Sequence, residues 1–152
     1  MKEKYRRLPL RSGVGIVLLN KENKIFVAKR IDNPKNFWQM PQGGVDKDED
    51  FYTAALRELK EETSIVSVKP IKEIEENLTY ILPDHLIGII WKGKYKGQKQ
   101  KWFIMRFIGD DSEINIKTKR PEFLDWKWID LENLTKIAVN FKLEVYKKLK
   151  SE

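Results

Sequence analysis

The pattern of apolar and polar positions predicts a β-hairpin near the start of the chain. Two apolar, β-rich runs, residues 14–19 and 24–30, flank the polar segment 20–23, which supplies turn residues. A short extended segment is predicted at residues 37–40, where Pro41 ends it.

The next block has the periodicity of an amphipathic helix. Asp50 suits the N-cap position, because its side chain can accept a hydrogen bond from the first turn, and the pattern runs to about Thr63. Phe51, Ala55 and Leu59 recur at every fourth position and predict a stripe that faces the core.

The second half of the chain alternates extended segments with polar turns and ends in a helical pattern. Extended segments are predicted at residues 65–74, 78–82, 86–91, 101–107 and 125–129, a basic turn at 92–100 and a polar loop at 110–121. Residues 134–150 predict a C-terminal helix, because apolar side chains recur at every fourth position. These side chains are Ile137, Phe141, Val145 and Leu149. The whole pattern predicts an α/β fold in which helices cover the faces of a mixed β-sheet.

Composition narrows the class of protein. A length of 152 residues suits one domain, 1–152, and no apolar run reaches the roughly 18 residues that span a membrane. Because cysteine is absent, disulfides and thiolate metal sites are excluded, and any metal must be bound by oxygen or by His85. With no apolar signal segment after Met1, a cytoplasmic location is expected. The formal net charge of +7 suits a polyanionic partner.

Three glutamates lie close together near the end of the predicted helix. Glu58, Glu61 and Glu62 are three and four residues apart, so a helix places them on one face. Their mutual repulsion costs about 0.2–0.5 kcal/mol per pair on an exposed helix. A multivalent cation among them would offset this repulsion, whereas the alternative is an ordinary solvated acidic face.

The residues around these glutamates resemble the Nudix box, the signature of hydrolases that cleave a nucleoside diphosphate linked to another group. The matching positions are Gly43, Glu49, Arg57, Glu58, Leu59, Glu61, Glu62 and Ile65. One position departs, because Ser64 stands where the family has glycine. A left-handed residue commonly ends a helix there. Either serine adopts that conformation at a cost of roughly 1 kcal/mol or the turn closes differently, so we expect an effect on stability rather than on chemistry. The resemblance implies an α/β/α sandwich.

Further stretches resemble one branch of this family, the bacterial RNA pyrophosphohydrolases, also described as dinucleoside polyphosphate hydrolases. They occur in the order of that branch and are WQMPQGG at 38–44, GQKQKWF at 97–103, EIN at 113–115, PEF at 121–123, WKW at 126–128 and NFKLEVY at 140–146. The resemblance thus covers nearly the whole chain. It separates the chain from Nudix proteins that act on ADP-ribose or on oxidised nucleotides.

The resemblance implies a metal site built mainly from the box. Glu58, Glu61 and Glu62 would bind the catalytic Mg²⁺, with the Gly43 carbonyl as a further ligand. Mn²⁺ or another divalent cation is an alternative. Glu113 would be a further metal-binding or water-activating glutamate, although it could also be an ordinary loop carboxylate.

Two further roles in the site follow from the same resemblance. Arg57 would pair with a neighbouring box carboxylate such as Glu49 and orient the cluster from behind the metal ligands. One box glutamate or Glu113 would accept the proton of the attacking water, and the sequence leaves this choice open.

The resemblance also implies residues that hold the 5′ end of RNA. Arg11 would contact phosphates, Arg30 would lie at the base-binding cleft, and the base of the second nucleotide would stack on Phe141. Phe141 also lies on the apolar stripe of the predicted C-terminal helix, so a place in the core is its alternative. Further substrate contacts are expected from Gln42, Lys99 and Lys101. For the two lysines the alternative is protection of an edge strand.

These expectations describe an enzyme that removes pyrophosphate or phosphates from 5′-triphosphorylated RNA by attack of a metal-activated water, and so starts mRNA decay. Cleavage of diadenosine tetra- or pentaphosphate to ATP is an alternative with the same site chemistry. A non-catalytic Nudix module that binds nucleotide or RNA is a further alternative, although such a module would be expected to have lost box carboxylates. No membrane and no stable protein partner are expected.

Overall fold

The computed structural model describes residues 3–32, 38–137, 146–147 and 149–150. The strands are β1 (Leu10–Leu19), β2 (Ile25–Arg30), β3 (Trp38–Gln39), β4 (Gln42–Gly44), β5 (Val68–Glu73), β6 (Leu78–Ile81), β7 (Gly97–Phe107) and β8 (Phe123–Ile129). The α-helix α1 spans Phe51–Thr63, and 3-10 helices lie at Glu3–Tyr5, Ile90–Gly93, Asp111–Glu113 and Leu131–Ile137. In the described part of the chain, no helix has both the length and the apolar character needed to cross a bilayer.

The eight strands form one mixed sheet, as the sequence predicts. The order along its main path is β3-β2-β1-β7-β5, while β4 pairs with β1, β6 with β7 and β8 with β2. β1 and β7 are parallel from Leu10 opposite Gly97 to Leu19 opposite Arg106, and the other pairs are antiparallel. β1 therefore begins four residues before the predicted run, because its polar first residues have a backbone partner in β7.

A hydrophobic core lies on each face of the sheet. On one face, the predicted stripe residues Ala55 and Leu59 of α1 are fully buried against strand residues such as Phe26 and Met105. On the other face, Trp102 belongs to a second cluster that includes Leu134, Tyr146 and Leu149. Because helical residues pack on both faces, the chain has the predicted arrangement of helical layers around a mixed sheet.

The predicted C-terminal helix is described only in part. Residues 131–137 form a 3-10 helix, and residues 146–147 and 149–150 are α-helical. The positions between them, including Phe141 and Val145, lie outside the described residues.

The predicted strand at residues 86–91 is wrong. The chain turns there and enters the 3-10 helix Ile90–Gly93, with positive φ at Gly88, Trp91, Lys92 and Gly93. A positive φ is incompatible with a strand. The apolar run does not mark a buried strand, because Ile87 is buried whereas Ile89 is 72% exposed.

The predicted basic turn at 92–100 is also wrong in its last four residues, which begin β7. Gln98 and Gln100 are buried and the lysine between them is exposed, so the segment has the two-residue period of a strand. Polar side chains conceal this period, because both buried positions are glutamines.

Both ends of α1 form as the sequence predicts. The Asp50 side chain accepts a hydrogen bond from the Thr53 N–H. Ser64 ends the helix in the left-handed conformation, with φ 68°, and its N–H donates to the Lys60 carbonyl. The serine hydroxyl also donates to the Asn115 carbonyl oxygen at 2.9 Å, a contact that glycine cannot make.

Two substitutions at Ser64 separate the strain from the hydrogen bond. Ser64→Gly and Ser64→Ala both remove the bond to Asn115, but only glycine adopts a φ of 68° without strain. We therefore expect the alanine variant to be less stable than the glycine variant by about 1 kcal/mol. Urea denaturation of both variants measures this difference, and equal stabilities would show that the backbone conformation at this position carries no strain.

Candidate active site

The loop that leads to α1 brings glycine backbone against charged side chains. Gly43 lies in β4, paired with Val14 of β1, and an added Cβ would stand 2.1 Å from the carboxylate carbon of Glu58. A Cβ on Gly44 would stand 2.1 Å from the Arg11 guanidinium. Glycine at both positions lets these charged groups lie against the backbone, because any Cβ would displace a charged side chain of the site.

Arg57 links the loop to the helix. Its guanidinium donates two bonds to Glu49, at 2.8 and 2.9 Å, one to the Gly44 carbonyl at 2.9 Å and one to Glu58 at 3.0 Å. The predicted Arg57–Glu49 pair is therefore present. It lowers the pKa of Glu49 to about 2, so this carboxylate stays ionised. A longer contact of 3.3 Å reaches Glu61.

Glu62 is the most buried of the box glutamates. Its side chain is 3% exposed, and its Oε2 has no hydrogen-bond partner among the described residues. Burial raises its pKa well above the ordinary value, and the nearby carboxylates of Glu122 and Glu58 raise it further. Burial also raises the pKa of Glu58, although Arg57 opposes the shift. Such a site favours a bound proton or a bound cation.

Glu122 also belongs to this cluster, although the sequence did not indicate it as a site residue. It immediately precedes β8, and its carbonyl accepts the Ile31 N–H at 2.9 Å, so the pairing of β8 with β2 fixes its backbone. The only signal in the sequence is its place in the PEF stretch at 121–123.

Glu113 is not brought to the cluster. Its Oε2 accepts the N–H groups of Val66 and Ser67, at 2.7 and 2.8 Å, just after the end of α1. A hydrogen bond from the Ser67 side chain lowers the pKa of Glu113 most, and these two backbone bonds lower it further. Its carboxylate therefore anchors the segment between α1 and β5.

A cleft of about 220 Å³ ends on the carboxylates. It contains the predicted Arg11, Arg30 and Gln42 together with residues that were not predicted. Its lining is Arg11, Arg30, Gln42, Gly43, Gly44, Glu58, Glu62, Tyr80, Trp91, Gln98 and Glu122. The Arg11 guanidinium lies 5.1 Å from the centre of the Trp91 ring, a cation–π contact. Arg30 forms two bonds to Asp32, at 2.7 and 2.9 Å.

A buried hydrogen-bond network supports one wall of the cleft. The Gln42 side-chain oxygen accepts from Gln100 at 2.9 Å, and Tyr80 donates its hydroxyl to Gln98 at 3.2 Å. Burial raises the pKa of Tyr80 to about 12, so its hydroxyl remains protonated. The network fixes the positions of Gln42, Gln98 and Tyr80 in the cleft wall.

The two predicted lysine contacts are not in the cleft lining. Lys99 and Lys101 alternate along β7 with Gln98 and Gln100, so they point to the opposite face of the sheet. Lys101 pairs there with Glu73 and lies 5.5 Å from the centre of the Phe51 ring. Phe141 lies outside the described residues.

Comparison with known proteins decides the family. The NUDIX domain model matches residues 9–149. The chain belongs to the Nudix family. An RNA pyrophosphohydrolase of Pelagibacter ubique is 68% identical over 152 residues, which cover 100% of this chain and 96% of that protein. An RNA pyrophosphohydrolase of Sphingopyxis alaskensis is 48% identical over 150 residues, covering 97% and 95%.

Solved structures share the Nudix fold. The E. coli dihydroneopterin triphosphate pyrophosphohydrolase has a TM-score of 0.72 at 20% identity, covering 92% of this chain and 96% of that one. The C. elegans Ap4A hydrolase has a TM-score of 0.63 at 24% identity, covering 93% and 97%. At these identities the likeness concerns the fold.

The Nudix carboxylates fit a hard divalent cation. The buried, unpartnered oxygen of Glu62 and the raised pKa values of Glu58 and Glu62 show that negative charge is poorly compensated there. Within the described residues, no three acidic or histidine side chains are close enough to enclose a metal by themselves. The donors present are carboxylate oxygens, which hard divalent cations prefer.

Proposed function

We propose that this Nudix protein is an RNA 5′ pyrophosphohydrolase, which hydrolyses the 5′-triphosphate end of RNA and releases pyrophosphate or phosphates. The observation that carries the proposal is the cleft that ends on the carboxylate cluster of Glu58, Glu62 and Glu122. It combines cations for phosphates, aromatic and amide groups for a nucleoside, and acids for a metal. The two relatives named RNA pyrophosphohydrolase, similar over nearly their whole length, support this choice of substrate.

We propose Mg²⁺ as the cation, with Mn²⁺ as a chemically similar alternative. Glu58, Glu61, Glu62 and the Gly43 carbonyl would hold it, and Glu122 would complete the set in the role that the sequence suggested for Glu113. When bound, the cation supplies charge neutralisation and lowers the pKa of a water. The chain's own part is to place the carboxylates, since Arg57 holds Glu58 and the loop together. A box glutamate or Glu122 would accept the proton of the attacking water.

The cleft wall suits the phosphates and the first nucleotides of RNA. Arg11 can donate to a phosphate while its guanidinium remains over Trp91. Gln42 and Gln98 offer amide groups to the same space, and Tyr80 lies beside them. Single-stranded ends are commonly read through such stacking and amide contacts. The proposed place of action is the cytoplasm, where RNA 5′ ends are available.

Hydrolysis of diadenosine tetra- or pentaphosphate is the second candidate function. The same carboxylates serve any nucleoside polyphosphate, and an Ap4A hydrolase is among the proteins with this fold. A non-catalytic binding module is disfavoured, because Glu49, Glu58, Glu61 and Glu62 are all present.

Competition between substrates tests the proposal. Equal amounts of 5′-triphosphate RNA and diadenosine pentaphosphate are offered with Mg²⁺, and the ratio of kcat/KM is measured. We expect RNA to be preferred, and Arg11→Ala to lower kcat/KM for RNA about 10- to 100-fold through loss of a charge-assisted phosphate contact. Lys99→Ala, on the opposite face of β7, is the control and should have no effect. A preference for the dinucleotide would select the second function, and no hydrolysis of either would leave a binding module.

A further inference from the structure

A second concavity, of about 910 Å³, lies beside the same carboxylates. Its lining shares only Glu62 and Glu122 with the cleft, so these two acids form the boundary between the two spaces. The other charged residues of its lining are the cations Arg57, Lys60, Lys119 and Arg120 and the acid Glu61. We call this space the basic concavity.

The cations of the basic concavity are available to a ligand. Lys60, Lys119 and Arg120 are exposed, and no described acidic side chain forms a salt bridge with them. Two buried oxygens in the lining, Glu62 Oε2 and Thr118 Oγ1, have no hydrogen-bond partner among the described residues. The exposed cations, together with the Thr118 hydroxyl, which can donate a hydrogen bond, indicate a site that binds a polar, anionic group.

The two spaces differ in the ligand chemistry that they suit. The cleft contains the rings of Tyr80 and Trp91, whereas no described residue in the lining of the basic concavity is aromatic. A base gains from stacking, so a nucleoside belongs in the cleft. A phosphate group without a base is stabilised by cations alone, so the basic concavity suits it better.

The loop places the backbone of Lys119 and Arg120 close to the cluster. Lys119 and Arg120 precede Glu122 by three and two residues, and the pairing of β8 with β2 holds Glu122 in place. A polyphosphate that lies across the carboxylates, with its nucleoside in the cleft, extends its other end toward Lys119 and Arg120.

We propose that the basic concavity binds the phosphates on the leaving side of the scissile bond. This inference rests on the proposed function. Water forms a new bond to the attacked phosphorus and loses a proton to a carboxylate, while the anhydride bond breaks and its electron pair stays on the departing phosphate oxygen. Lys119 and Arg120 stabilise that negative charge. The departing group is pyrophosphate from a triphosphate end, or the phosphates of a second nucleotide.

Binding of inorganic pyrophosphate tests the site directly. Calorimetric titration of the wild type with pyrophosphate and Mg²⁺ is compared with the double variant Lys119→Ala/Arg120→Ala. Because two charge-assisted contacts are lost, we expect binding to weaken about 10- to 100-fold. Lys117→Ala removes an exposed lysine of the same loop that is not in the lining, and it should bind pyrophosphate like the wild type.

The outcomes of this titration test phosphate binding in the basic concavity separately from the proposed function. Unchanged pyrophosphate affinity in the double variant, with folding confirmed by thermal unfolding, overturns the inference even if RNA is hydrolysed. Weakened affinity supports it even if RNA is not a substrate. The effect of the double variant on kcat/KM identifies the source of the phosphates: a loss for 5′-triphosphate RNA alone indicates pyrophosphate, and a loss for diadenosine pentaphosphate as well indicates both.

Discussion

Glu62→Gln is expected to remove most hydrolytic activity and, at the same time, to stabilise the metal-free protein. The side chain is 3% exposed, and its Oε2 has no partner among the described residues. A neutral amide of the same shape no longer suffers the repulsion of Glu58 and Glu122. We expect kcat/KM to fall about 10²- to 10⁴-fold, the range for loss of an acid–base group. Removal of an uncompensated buried charge should add about 1–3 kcal/mol to the unfolding free energy.

The raised pKa of Glu62 determines how its contribution to stability changes with pH. The raised pKa of Glu62 means that the folded protein binds its proton more readily than the unfolded chain does. Its contribution to stability is therefore present below the unfolded pKa and is lost as the pH rises through the raised value. Glu49, whose pKa is about 2, behaves in the opposite way, with stability lost as the pH falls through that value, but it is common to both proteins.

Urea denaturation in the presence of a chelator measures this effect. The stability advantage of Glu62→Gln over the wild type should be small near pH 4.5 and should grow towards pH 8. Added Mg²⁺ should stabilise the wild type more than the variant, because the cation replaces the missing countercharge. A stability difference that does not change with pH would show that ionisation of Glu62 does not destabilise the folded protein.

The parts of the site that follow from local spacing could be predicted from the sequence. Glu58, Glu61 and Glu62 share a face because the helix forms where Asp50 and the apolar stripe place it. The Arg57–Glu49 pair also connects residues that are near each other in the chain. These contacts depend on α1 and its preceding loop, which the sequence determines over short distances.

The parts that depend on distant strand pairing could not be predicted. Gln98 and Gln100 become buried only because Gln42, Tyr80 and Trp102 supply hydrogen-bond partners from elsewhere along the chain or sheet. The residues of the 86–91 run resemble a strand, yet positive φ at Gly88 and Trp91 turns Trp91 towards the cleft. Hydrophobic periodicity carries no information about such partners.

Which of Glu113 and Glu122 lies in the carboxylate cluster also depends on strand pairing and could not be predicted from the sequence. Both are glutamates of stretches shared with one Nudix branch, and both follow β7. A 3-10 helix turns Glu113 back to the backbone of Val66 and Ser67, whereas the start of β8 carries Glu122 to the cluster. Spacing along the chain does not distinguish these two destinations, but the register of β8 on β2 does.

We therefore expect Glu122→Gln to lower mainly the activity and Glu113→Gln to lower mainly the stability. Glu122 is exposed at the cleft, so its amide variant should fold normally and lose about 10²-fold in kcat/KM, with weaker Mg²⁺ binding. Glu113→Gln keeps an oxygen that can accept only a neutral hydrogen bond from Val66 and Ser67, so it should cost about 1 kcal/mol of stability and leave kcat/KM within about threefold.

Measuring kcat/KM and the urea midpoint for both variants gives two independent comparisons. Loss of activity in Glu113→Gln with unchanged activity in Glu122→Gln would return the role of the further metal-binding or water-activating glutamate to Glu113, as the resemblance implied. Mg²⁺ titration, followed by thermal unfolding, adds a readout that does not depend on turnover. Because Glu122 helps to raise the pKa of Glu62, its amide variant should also reduce the growth of the Glu62→Gln advantage with pH. That coupling is a property of carboxylates in one cluster, and Glu113, bonded to the backbone beyond α1, should not share it.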